Sequence, residues 1–104
     1  MRDVSNAFKA LGDPIRVEMV YRLSRGEGST VGKLSGGLGI TRQGARKHLG
    51  VLEHAGIIRL RKKSRITEVH FRPNALAVMK TFIAKLELQW DQRLLALKSF
   101  VEKE

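Results

Sequence analysis

A mainly α-helical fold with one β-hairpin is predicted, in which a helix-turn-helix leads into a two-stranded ribbon and a long last helix closes the chain. Three observations predict it. Apolar residues recur three and four apart in five stretches. Two β-branched runs, 57–61 and 66–72, flank a cationic tip. From residue 74 onward, apolar residues keep a near-heptad rhythm to Val101. A chain of 104 residues with 42 % hydrophobic content suits one domain, 1–104. Within it the helix-turn-helix is expected over about 30–55, the ribbon over about 57–72 and the last helix over about 74–102.

The first helix is carried by Val4, Ala7, Phe8 and Leu11, with Gly12 expected as its C-cap. Asp13-Pro14 then reads as an N-cap carboxylate followed by proline at the first helical position, where the missing N–H costs nothing. Ile15, Met19, Val20 and Leu23 form the stripe of this second helix, expected to end at Gly26-Glu27-Gly28. Thr30 can cap a third helix through Val31, Leu34 and Leu38, ended by Gly39. Gly32, Gly36 and Gly37 shorten or fray it, since an interior glycine costs about 1 kcal/mol relative to alanine.

Thr41 caps the fourth helix, and the two helices joined by a glycine-containing turn make the helix-turn-helix. At 100° per residue, Ala45, Leu49 and Leu52 share one face, while Arg42, Gln43, Arg46, Lys47 and Gly50 spread over the other. Arg and Gln carry the forked donors and donor–acceptor pairs that match guanine and adenine edges, and Gly44 and Gly50 are expected to allow close approach of the backbone. In the ribbon, Ile58, Leu60, Val69 and Phe71 form the expected inward set. The tip Lys62-Lys63-Ser64-Arg65 is three-quarters cationic, suited to a phosphate backbone or the adjacent minor groove.

Charge concentrates where those elements lie. Between Arg42 and Arg72 there are nine Lys/Arg, Arg59 and Arg61 among them, against Glu53 and Glu68, which leaves +7 of the formal +10. Such a patch is the electrostatic footprint of a polyanion-binding surface, because each neutralised phosphate releases counterions.

Other classes fit poorly. No cysteine is present, which excludes disulfides and thiolate metal sites. No apolar run approaches the roughly 18 residues that span a bilayer, and Asp3 spoils a signal peptide, so a cytoplasmic protein is expected. A phosphate-loop pattern fails because Glu27 stands where its first glycine belongs and Leu34 where a hydroxyl residue belongs. Gly37-Leu38-Gly39 runs into Arg42, so no dinucleotide fingerprint forms, and no Gly-x-Ser-x-Gly elbow exists. Neither a catalytic residue nor a cofactor is expected.

Several stretches resemble the ArsR/SmtB family of winged helix-turn-helix bacterial repressors. They are 8–16, the Val31-Gly32-Lys33-Leu34 stretch, and 46–57, whose Lys-His-Leu-x-x-Leu-Glu-x-Ala-Gly pattern is the most specific. Trp90-Asp91-Gln92-Arg93-Leu94 is similar to a signature of the cysteine-free members. The resemblance implies a winged helix-turn-helix homodimer that binds an inverted-repeat operator in double-stranded DNA and represses transcription. It further implies that Thr41, Arg42, Gln43, Arg46, Lys47 and His48 face bases or nearby phosphates, with Arg61, Lys62, Lys63 and Arg65 of the wing on the flanks. Two departures stand out, a glycine-rich third helix and a wing tip without glycine.

Metal sensing in that family uses cysteines on the third helix or Asp/His pairs on the last, and this chain has neither, so no metal site is expected. Glu87 and Asp91, one turn apart, read as a solvated face, and His48 reads as a packing or phosphate-contacting residue. Met79, Ile83, Leu86, Trp90, Leu94, Leu97 and Val101 are spaced close to a coiled-coil seam, widened by Phe82 and Phe100. The helix is too long for so small a domain to cover. Phe8, Met79, Phe82, Ile83, Leu86, Trp90, Leu94 and Leu97 are therefore the expected dimer contacts. Two readings compete with a specific repressor: a sequence-tolerant chromosome- or RNA-binding module, and an interaction domain that rarely touches nucleic acid. No inducer is identified by the pattern.

Overall fold

The computed structural model describes residues 1–26 and 30–103. The elements run α1 (Arg2–Ala10), α2 (Pro14–Ser24), α3 (Val31–Ser35), α4 (Arg42–His54), β1 (Ile58–Lys63), β2 (Ile66–Phe71) and α5 (Pro73–Glu102). This is the mainly α winged architecture expected, with a two-stranded antiparallel wing and a long C-terminal helix.

The N-caps form where the sequence puts them. The Asp13 carboxylate accepts from the Ile15 and Arg16 amides at 2.8 and 3.2 Å, the Thr30 hydroxyl from Lys33 at 3.3 Å, and the Thr41 hydroxyl from Gly44 at 2.9 Å. Leu34, Ala45, Leu49, Leu52, Ile57, Ile58, Met19 and Val69 meet in the main core, so α4 docks by the Ala45, Leu49 and Leu52 face. Val4, Ala7 and Met79 form a second cluster where α1 crosses the start of α5.

Several boundaries differ from expectation for local reasons. α1 ends one residue early, with Leu11 at its C-cap (φ −85°), and Gly12 is not in the left-handed region. Crowding favours glycine at position 12 instead, since a Cβ there would stand 3.3 Å from the Lys9 carbonyl oxygen. α2 ends at Ser24, and Glu27 and Gly28, expected to end it, lie outside the described residues. α3 stops at Ser35, short of Gly39, because Gly36 turns extended and Gly37 enters the left-handed region at φ 75°. Its last carbonyls are taken by the Arg22 guanidinium, which donates to Leu34 at 3.4 Å and Gly36 at 2.5 Å. α5 starts at Pro73, one residue before expectation, with Arg72 at the N-cap position.

The exit from α4 fixes where the wing begins. Gly56 (φ 80°) follows the C-cap, its amide donating to Glu53 O at 3.0 Å and that of Ile57 to Leu52 O at 3.0 Å. These are the two bonds of a Schellman motif, which here also seats Ile57 and Leu52 together in the core. Ile57 thus takes a core place not expected of it, whereas Phe71, expected inward, is 39 % exposed. The strands pair from Ile58 opposite Phe71 to Lys63 opposite Ile66, leaving Ser64 and Arg65 as a two-residue turn.

Candidate nucleic-acid interface

The outer face of α4 exposes Arg42, Gln43, Arg46 and Lys47, because the three apolar residues between them face the core. Thr41 is exposed but committed to its cap. A Cβ at Gly44 would stand 3.2 Å from the Thr41 hydroxyl, so crowding at the cap already favours glycine there. Gly50 has open space around it.

His48 lies half buried at the rear of α4. Its Nδ1 is 3.0 Å from the Arg16 Nη1, and because a guanidinium has only donors, the imidazole accepts. Arg16 Nε in turn donates to the Ala10 carbonyl at 2.6 Å, so one side chain ties the end of α1 to the recognition helix. This is a packing role for His48, made through its Nδ1. Nearby, desolvation raises the Asp13 carboxyl, but the Arg16 and Ile15 amides and the charge of Arg16 outweigh it and hold the group below its ordinary value.

The wing is fastened to α4 by Glu53, whose carboxylate accepts from the Leu60 amide at 2.8 Å. A backbone bridge between Thr30 and Glu68 fastens β2 to the start of α3. Glu68 itself turns to His70, 3.2 Å away. Strand alternation sets Arg61 and Lys63 on one face of the ribbon and Lys62 on the other, all exposed.

The expected contact residues therefore do not form one flat patch. Arg42 and Arg46 converge with Arg65 of the wing turn on a recess of about 160 Å³. Lys47 lies on the opposite flank of α4, in a groove shared with Lys9 and Arg16 of the first two helices. Sequence reasoning missed Arg16, Arg22 and Glu53, whose partners are backbone or ring atoms that carry no sequence signal. Glu87 and Asp91 are both exposed, and among the described residues no three His, Asp or Glu side chains gather as a metal site would need.

A helix-turn-helix domain family matches residues 11–61. An ArsR family transcriptional regulator of known structure is 28 % identical, with a TM-score of 0.81 over 86 % of this chain and 92 % of that one. An ArsR-like transcriptional regulator from a Rhodococcus species is 26 % identical, with a TM-score of 0.78 over 95 % of this chain and 92 % of that one. In sequence and fold the chain is thus similar to ArsR-family winged helix-turn-helix regulators. A biofilm growth-associated repressor from Xylella fastidiosa is 36 % identical over 70 residues, 67 % of this chain and 59 % of that protein. The chain thus spans about three-fifths of the length of the curated relatives it matches. These relatives are regulators, a class without catalytic activity.

Proposed function

We propose that the protein is a sequence-specific DNA-binding transcriptional repressor acting as a homodimer on an inverted-repeat operator, with the whole chain 1–104 as one winged helix-turn-helix unit. The observation that carries this reading is the outward display of Arg42, Gln43, Arg46 and Lys47 on a helix whose opposite face is locked into the core, beside an exposed cationic wing. Arg42, Gln43, Arg46 and Lys47 meet base edges or nearby phosphates in the major groove, and Arg61, Lys62, Lys63 and Arg65 engage phosphates of the flanks. Such a regulator works in the cytoplasm, with the chromosome.

The exposed face of α5 supports the dimer. Every described side chain from Ile83 to Lys103 is exposed, although Leu86, Trp90, Leu94, Leu97, Phe100 and Val101 are large and apolar. A stripe of that length on a soluble monomer is expected to be covered, and a second copy of the same helix covers it. Two-fold symmetry then sets the two α4 helices about 34 Å apart, one turn of B-DNA.

Competition binding tests the reading. The protein's own promoter should outcompete bulk DNA by about 10³-fold or more. A ratio near one would favour sequence-tolerant binding, and no binding at low salt would favour a role in protein interaction alone.

A further inference from the structure

The recess between the start of α3, the first turn of α4 and the wing holds an electrostatic arrangement that nothing among the described residues relieves. Arg42 and Arg46 stand four residues apart on one helix face, a like-charge pair that destabilises a helix. Arg42 also occupies the first turn of α4, where the helix dipole already disfavours a cation. Arg65 adds a third guanidinium from the wing turn, with the hydroxyl residues Thr30 and Thr67 beside it.

Among the described residues, no carboxylate lines the recess. Among the described residues, none of the three arginines has an ion pair or a side-chain hydrogen bond. Glu68, the acid on the adjoining strand, is taken by His70. The Thr30–Glu68 bridge holds β2 against α3, so Arg65 and Thr67 stay over the recess instead of swinging away. One tetrahedral oxyanion placed there would relieve all three repulsions at once, and guanidinium forks bind phosphate oxygens in pairs.

We infer that this recess is a binding site for a single phosphate-class oxyanion, held by Arg42, Arg46 and Arg65. The occupant comes from one of two sources, a backbone phosphate of duplex DNA or a free phosphorylated anion that competes with DNA for the same three side chains. Only the first source rests on the DNA-binding reading.

Inorganic pyrophosphate is the probe, titrated into isotopically labelled full-length protein at constant ionic strength while amide resonances are followed. Saturable shifts are expected around residues 42, 46, 65 and 67. Arg46→Gln and Arg65→Gln should each weaken binding at least about tenfold, as expected when one member of a charge-assisted cluster is removed. Arg93→Gln on α5, which removes the same charge elsewhere, should leave it unchanged.

Ethylation interference on bound duplex separates the sources. If interference at one phosphate disappears in Arg65→Gln, and the salt slope falls by about one, the occupant is the DNA backbone. Displacement of DNA by pyrophosphate, at concentrations where sulfate of equal ionic strength does nothing, identifies a free anion. Non-saturating shifts together with an unaltered interference pattern in Arg65→Gln would overturn the site while leaving duplex binding intact. Saturable pyrophosphate uptake without duplex binding would uphold the site and sink the regulatory reading.

Discussion

Ser64 adopts φ 59° at the first position of the two-residue wing turn, where such hairpins ordinarily place glycine. An L-residue with a Cβ loses about 1 kcal/mol in that region. Ser64→Gly removes the clash but frees the unfolded chain, so a net gain of about 0.5 kcal/mol is expected. Urea unfolding measures it, and a loss of stability would show that the serine relieves more than it strains. Asp13 is the residue with a titration consequence. Its folded carboxyl lies below the ordinary 3.8, so it stabilises the fold above that pH and the contribution fades as pH falls through the folded value. Asp13→Asn keeps an acceptor for the Ile15 and Arg16 amides but cannot titrate. Its unfolding free energy should therefore fall less steeply than the parent's below pH 3.8, and parallel curves would exclude the linkage.

Recognition helix and wing act together only if something joins them, and the Glu53–Leu60 bond does so from the far end of α4. Glu53→Ala should cost about 1 kcal/mol in stability. It should also raise hydrogen exchange at the Leu60 amide more than at amides of α2, whereas uniform acceleration would mean that the bond does not restrain the wing specifically. This element-scale link marks where sequence reading stopped. The caps at Asp13, Thr30 and Thr41 were legible because donor and acceptor sit two or three residues apart. The inward set Ala45, Leu49 and Leu52 was legible because helical period fixes a face. Arg22 closes α3 across 14 residues, and Arg16 reaches His48 across 32, so neither partner follows from periodicity. For the same reason Arg42 and Arg46 could be paired from sequence, but their meeting with Arg65 depends on the path of the ribbon.

At the scale of the molecule, the described residues extend 70 Å along one axis and only 24 and 22 Å across, because α5 outruns the domain that supports it. The seam expected from sequence divides at about Ile83. Met79 is buried and Phe82 half-buried within their own chain, where they join α1 to α5, while Phe8, which meets Phe82 edge-on at 6.0 Å, is still 38 % exposed. Ile83, Leu86, Trp90, Leu94 and Leu97 remain open. Trp90, at 61 % exposure, is the largest apolar side chain on that stretch. Burying such a side chain contributes about 1.5 to 3 kcal/mol, and two-fold symmetry counts it twice. Trp90→Ala should then weaken self-association by on the order of a hundredfold or more while leaving the helical spectrum of the domain unchanged. Leu95, at 66 % exposure, lies roughly a third of a turn around from the Leu94–Leu97 side of α5. Leu95→Ala should leave association nearly untouched, and it serves as the control for a general reduction of apolar surface. Sedimentation velocity across a dilution series distinguishes the two variants. An unchanged dimer in Trp90→Ala, or equal weakening in both, would mean that the pair of α4 helices is not spaced by this seam.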